Sequence, residues 1–245
     1  MFGFLATAFN QFLYQPLFNI LVLIYNYLPA HDFGLAIIIL TVLIRAVLYP
    51  LSAKAFNSQK NVQKLQEKIK EIQEKYKNDK EKQAIETLEL YKREKINPFS
   101  GLLLVLIQLP ILIALYKVFW LGLKPEELTN LYSFVANPIQ ISSTFLGIVD
   151  LAKPNVIMAF AAGILQFFQA KMMTPKKSKI KGRENDITDM MNKQMLYFLP
   201  IMTVIILFGL PSAVGLYWIA SGLFTIGQQY FMMKNNKESN NNTKK

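Results

Sequence analysis

Hydrophobic positions along this chain gather into long blocks separated by strongly polar ones. Phe33 to Ser52 (FGLAIIILTVLIRAVLYPLS) is an apolar run that carries a single charge, Arg45. About 20 apolar residues at ~1.5 Å rise cross a hydrocarbon core of roughly 30 Å, so the block predicts a transmembrane helix. Four more blocks predict the same: Leu102 to Leu121, Asn155 to Met173, Met195 to Leu210 and Ala213 to Met233. The last two are joined by a tight Gly209-Leu210-Pro211-Ser212 connection. Leu17 to Leu28 is apolar for only twelve residues, short for a span. Asn19 and Asn26 share one helical face there, which predicts an interfacial amphipathic helix with Tyr25 and Tyr27 at headgroup level. A sixth span beginning near Phe9 is the alternative. Residues 122–154 are mixed, with Pro138 and Ser142-Ser143-Thr144, and predict a loop or interfacial segment.

Between Ala53 and Asn97 the pattern inverts: twelve Lys/Arg and eight Asp/Glu are far too polar for a bilayer. Val62, Leu65, Ile69, Ile72 and Tyr76 step by three and four, a narrow apolar seam along one helix. Asn78-Asp79 interrupts it, and Ala84, Leu88 and Tyr91 continue the seam on a second helix. Two such helices joined by a short polar turn predict an antiparallel helical hairpin, either a solvated spacer or a mobile docking arm. The final stretch, residues 234–245, is rich in Asn and Lys and predicts a disordered basic tail.

Charge then orients the blocks. Outside the spans, residues 1–32 carry no Lys or Arg, and 53–97 carry twelve. The segment after the second span carries two, that around 171–193 seven, the turn near Pro211 none and the tail four. This low-high alternation is the positive-inside pattern. It predicts an all-α polytopic membrane protein with five transmembrane helices, the N-terminus outside and the C-terminus in the cytoplasm. Residues 33–233 form one core, preceded by the interfacial segment 1–32. The net charge of +11 is thereby assigned to topology and the cytoplasmic face, and no nucleic-acid sequence need be invoked.

Composition removes several kinds of chemistry. The chain has no cysteine and one histidine, His31, which excludes thiolate metal sites, a cysteine nucleophile and histidine-cluster metal chemistry. No metal, cofactor or catalytic set is expected. All sixteen Asp and Glu lie outside the apolar blocks, so no carboxylate of the chain sits at the depth of Arg45. An intramembrane cation costs about 2.5–3.5 kcal/mol on insertion scales and marks a functional site by default. Snorkelling to the nearer interface is the alternative; otherwise Arg45 predicts the floor of a hydrated cavity. Thr41 lies one turn away on the same face. Gln166 and Gln169, at similar depth when the spans are laid antiparallel, can share its wall, although each Gln taken singly reads more readily as hydrogen-bond glue between helices. Gln108 is a further candidate, and Tyr217-Trp218 is either lining or an interface belt. Lys117, beside Tyr116 and Trp120 at a span end, reads as a snorkelling residue. Other classes compatible with these residues are a small anion transporter or channel built on Arg45, and an intramembrane hydrolase using Ser212 or Ser221.

These features together resemble the YidC/Oxa/Alb membrane protein insertases over roughly Pro16 to Tyr230. The resemblance rests on Thr41-Val42-Leu43-Ile44-Arg45 with Tyr49-Pro50-Leu51 and on the charged hairpin ending Tyr91-Lys92-Arg93-Glu94-Lys95-Ile96-Asn97-Pro98. It continues in Gln108-Leu109-Pro110-Ile111 with Ala114-Leu115-Tyr116, and in Gly215-Leu216-Tyr217-Trp218 with Gln228-Gln229. Each motif is short; their order and spacing carry the match. The chain departs from the pattern at Glu67, where many members carry proline, and at Leu102-Leu103-Leu104, which replaces a Cys/Pro-containing turn. The resemblance implies a non-enzymatic insertase and chaperone of the bacterial plasma membrane. In that family the arginine lies in a hydrophilic groove, with positions matching Thr41, Gln169 and Trp218 along it. Implied partners are nascent membrane proteins with acidic or short hydrophilic leaders, the ribosome and anionic lipids, with the Sec translocon a further candidate.

Overall fold

The computed structural model describes residues 2–28, 31–97, 100–121, 124–174 and 194–242. The whole of Lys176 to Lys193, the expected basic loop, therefore lies outside the described residues, as does Pro98. The described chain is a helical bundle. It opens with α1 (Phe2–Phe9), a π-helical turn (Asn10–Tyr14) and α2 (Gln15–Tyr27), which follow one another without an intervening loop. Then come α3 (Phe33–Val47), α4 (Tyr49–Lys64), α5 (Gln66–Lys75), α6 (Lys80–Arg93) and α7 (Ser100–Leu121). After a 3₁₀ turn (Pro125–Asn130) and two paired strands, β1 (Thr144–Phe145) and β2 (Val149–Asp150), follow α8 (Val156–Met173), α9 (Leu199–Phe208) and α10 (Ser212–Asn242).

Local chemistry sets the boundaries. Asp32 caps α3, accepting from Leu35 N at 2.8 Å; Asn155 caps α8, accepting from Met158 N at 3.1 Å; Asp79 caps α6, accepting from Lys82 N at 3.0 Å. The expected single helix over Phe33–Ser52 is instead broken at Leu48, and α3 and α4 meet at a bend of 63°. Pro50 supplies the reason: it has no N–H to give the Ala46 carbonyl, and its ring obstructs the preceding turn. At 15 residues α3 is about 22 Å long, shorter than the hydrocarbon thickness. Among the described residues one helix, Val156–Met173, is long and apolar enough by itself to cross a membrane, and the bent α3–α4 pair would be a second.

Packing divides the bundle into two ends. At the end formed with residues 124–154, α8 lies against α9 and α10, α10 against α3, and α3 against α2. Phe18, Val22, Ala36, Ile37, Leu115, Phe119, Leu151 and Val214 are all buried there in one apolar core. Gly34 permits the closest approach: a Cβ on it would stand 2.1 Å from the Phe145 ring. Gly163 does the same for α8 against Val204 of α9. The α2 helix differs from the interfacial expectation, since its Asn19–Asn26 face is turned to protein. Asn19 is buried, accepts from Tyr132 N at 2.6 Å and donates to the Gln15 carbonyl at 2.8 Å, while Asn26 donates to the Ala136 carbonyl at 2.6 Å. The amides hold the 124–154 segment, which is therefore ordered, with a short hairpin in an otherwise helical chain.

At the opposite end, α5 and α6 fold back on one another. Contacts join Lys68 to Glu94, Gln73 to Gln83 and Tyr76 to Glu86. The buried seam is Leu65, Ile69 and Leu90, flanked by Ile72, Tyr91 and Ile96. Leu88 and Ala84, expected in that seam, are exposed; the face of α6 is set by Leu90 and Tyr91. Beyond Met233, where a disordered tail was expected, α10 runs on as helix to Asn242, consistent with propagation from an established helix costing less than nucleation.

Candidate functional site

A cavity of about 530 Å³ opens between α3, α4, α7, α8 and α10 on the hairpin side of the apolar core. Arg45 reaches it from the last turn of α3, just before the Leu48 break. Because α4 swings away at that break, the final turn of α3 is left without a continuing helix to cover it. Leu48, Ser52, Phe56 and Gln59 line the side so opened.

The guanidinium is held by α10, at Ser221 and Tyr217. Its Nη2 donates to Ser221 Oγ on α10, while Nε is buried and has no hydrogen-bond partner among the described residues. A buried donor left unmade costs about 1–3 kcal/mol, more when charged. Among the described residues no Asp or Glu lines the cavity, so the field they set there is that of an unneutralised cation. Gln166 on α8 and Gln229 on α10 each present a buried Oε1 that likewise has no partner among the described residues. Other polar groups are tied: Gln108 donates to the Tyr217 hydroxyl, and Gln228 meets Ser52 Oγ at 2.8 Å. Tyr217 stands edge-on to Trp218 at 6.5 Å between ring centres.

Six of the seven candidate residues read from the sequence thus meet in one cavity: Arg45, Gln108, Gln166, Gln169, Tyr217 and Trp218. Thr41 does not join them. It is buried one turn below, and its hydroxyl donates to the Ile37 carbonyl at 2.6 Å, closing on its own helix. Sequence reasoning left out Ser52, Ser221, Thr225, Gln228 and Gln229 as lining residues. A signal for most of these was present, because Tyr217, Ser221, Thr225 and Gln228 step by four, four and three, one polar stripe along α10.

The same geometry bears on the hydrolase alternative. Ser221 faces a guanidinium, which cannot take its proton at ordinary pH. Ser212 donates to the Asp150 carbonyl at 3.1 Å, and His31 stands edge-on to Tyr25 at the far end. Neither serine has a base beside it among the described residues.

Comparison with known proteins places this chain in a lineage. A family profile described as 60Kd inner membrane protein matches residues 23–240. The chain is 35% identical over 204 residues to a Fusobacterium nucleatum protein described as membrane protein insertase YidC, covering 83% of this chain and 87% of that one. Similar proteins with the same description come from Syntrophus aciditrophicus, 35% identical over 226 residues, and Histophilus somni strain 2336, 32% identical over 227. Each of those alignments covers 91% of this chain and 37% of the relative, so the chain spans little more than a third of their length.

Proposed function

The chain belongs to the 60Kd inner membrane protein family, and from that premise we propose that it is a membrane protein insertase working through the Arg45 cavity. The observation that carries this reading is a half-buried cation with no carboxylate facing it among the described residues, in a recess that sets a few polar side chains on an apolar core. A hydrophilic leader crossing hydrocarbon bears a large desolvation cost. A recess that reaches partway through, and offers a cation to the leader's carboxylates, shortens the dry path and lowers that cost. The guest's apolar segment then moves into lipid, and its burial drives the process. No covalent step is involved.

In this reading the five apolar blocks are spans of a bacterial inner membrane, with the hairpin end and the open side of the cavity in the cytoplasm. The basic cytoplasmic parts would meet the ribosome and anionic lipids, with the Sec translocon as a further partner. Cysteines placed at Asn130 and Ser212 are expected to label from outside, and one at Asn78 from the cytoplasm.

Site-specific crosslinking tests the reading directly. A photoreactive residue at Ser52 or Leu112, both lining the cavity, should capture a nascent single-span client. One at Leu151, buried in the apolar core, should not. Equal capture at both kinds of position would refute a localised guest site.

A further inference from the structure

A second cavity, of about 420 Å³, lies at the opposite end of the bundle, outside the groove, and every residue lining it carries a polar or charged group. It is enclosed by Asn10, Gln11 and Tyr14 of the N-terminal helical run, Lys117 near the end of α7, and Glu127 and Asn130 of the 3₁₀ turn. Lys117 was expected to snorkel toward Tyr116 and Trp120; instead it is drawn across to the N-terminal run. Its Nζ donates to Asn10 Oδ1 at 2.8 Å and stands 4.2 Å from the centre of the Tyr14 ring. From the other side of that ring system, the Tyr14 hydroxyl donates to Glu127 Oε2 at 2.6 Å, and Asn130 donates to the same oxygen at 3.0 Å. Both bonds arrive at Oε2, so Oε1 takes no hydrogen bond from any described residue. The cavity thus holds a cation and a carboxylate separated by one tyrosine, with no direct ion pair between them among the described residues.

That arrangement matches a ligand carrying two opposite charges a short linker apart. We propose that this cavity binds the headgroup of a phospholipid with a primary ammonium, its phosphate on Lys117 and its ammonium on Glu127. The ammonium would hydrogen-bond the free carboxylate oxygen, a charge-assisted contact that a quaternary ammonium, having no N–H, cannot make. Asn10, Gln11 and Asn130 supply amide donors and acceptors for the remaining headgroup oxygens. Acyl chains have a surface to follow: Phe12 and Trp120, each within three residues of a lining side chain, are 77% and 50% exposed. Such aromatic side chains suit the membrane boundary.

The test is lipid retention by the full-length protein in native mass spectrometry, with ethanolamine, choline and glycerol phospholipids of matched chains. The unmodified chain should retain the ethanolamine lipid several-fold better than either other lipid. Glu127→Gln should erase that preference while leaving the glycerol lipid's retention unchanged, and Lys117→Gln should weaken all three. Soluble phosphoethanolamine should displace the lipid better than inorganic phosphate. Equal retention of the three headgroups by the unmodified chain, which needs no variant to fold, would overturn the proposal. So would a preference that survives Glu127→Gln, or displacement by inorganic phosphate as effective as by phosphoethanolamine, which would mark a simple phosphate site.

Discussion

The two ends of this bundle treat buried polar atoms in opposite ways. At the end built with residues 124–154, polar side chains carried inward find partners. Asn19 bonds Tyr132 and Gln15, Asp32 accepts from Leu35 N and Leu146 N, and Tyr25 accepts from Ser142 N. At the hairpin end lie the buried side-chain atoms without partners among the described residues: Arg45 Nε, Gln166 Oε1, Gln229 Oε1 and, on α5, Gln73 Oε1. An unmade buried hydrogen bond costs about 1–3 kcal/mol, so gathering all such fully buried atoms among the described residues at one end is a costly asymmetry. The comparison separates a sealed end, whose fully buried polar atoms are satisfied, from an end where several are not.

The largest effect expected from breaking this contrast is at Arg45. Arg45→Lys should keep most insertion activity, because the charge survives although the planar fork is lost. Arg45→Ala should lower insertion of clients with acidic leaders on the order of tenfold, taking about 1.4 kcal/mol from a charge-assisted contact, and Arg45→Glu should lower it further by repulsion. Neutralising the leader's carboxylates should abolish most of the difference, the coupling that a double-mutant cycle isolates. Insertion per folded protein, measured for acidic and neutral leaders side by side, decides. Equal losses for both would make Arg45 a structural residue.

At the sealed end the corresponding damage should fall on stability. Asn19→Leu would strand the Tyr132 N–H in an apolar setting at a cost of about 1–3 kcal/mol. Gly34→Ala would drive a methyl into the Phe145 ring, an overpacking cost of about 1–3 kcal/mol that Phe145→Ala should partly relieve. Both should lower Tm while insertion per folded molecule is preserved. A normal Tm with lost insertion would mean that the sealed end takes part in the transfer itself.

A smaller effect of opposite sign should appear at Gln166. Gln166→Leu removes an acceptor that has no partner, so Tm should hold or rise by up to about 1 kcal/mol of stability, while insertion falls. This is the exchange of stability for activity that a site holding unsatisfied groups predicts. A clear loss of stability would show that Gln166 is satisfied and belongs with the sealed set.

How much of this was legible beforehand follows the same division. That six of the candidate residues line one cavity was readable, because a cation in an apolar block is conspicuous and depth along antiparallel helices follows from residue counts. Thr41 failed because sharing a helical face does not decide where a hydroxyl points, and the Ile37 carbonyl was nearer. The α3–α4 break was missed although Pro50 stood in plain view: near the end of an apolar run a proline reads as a terminus as easily as a bend. The sealed end was scarcely readable. Its defining bonds join Tyr14 to Glu127, Asn26 to Ala136 and Tyr25 to Ser142, partners more than a hundred residues apart that leave no local periodicity.

The smallest expected effect uses pH to compare one carboxylate from each end. Asp150, in β2 of the sealed end, accepts from Ser143 Oγ at 2.8 Å and Ala152 N at 3.0 Å and pairs with Lys153 at 3.1 Å. The Ser143 hydroxyl first, then Lys153 and the Ala152 N–H, hold its pKa below the ordinary aspartate value of 3.8. Glu94, in the hairpin region, is lowered as well, chiefly by its hydrogen bond to Lys68 and by that residue's charge. For a depressed carboxylate the stabilisation is fully present above the unfolded-state pKa and is lost as pH falls through the folded-state value. Both groups therefore act in the acid range and neither near neutrality. They differ in geometry: Asp150 fastens a strand turn with three donors, whereas Glu94 is a solvent-exposed ion pair of the kind that contributes little. Asp150→Asn should lower Tm slightly at pH 7, and the gap from the unmodified chain should close as pH drops below about 3.8. Glu94→Gln should leave Tm unchanged at every pH. A gap for Asp150→Asn that persists undiminished in acid would show that the loss comes from packing of the strand turn and not from the carboxylate's charge.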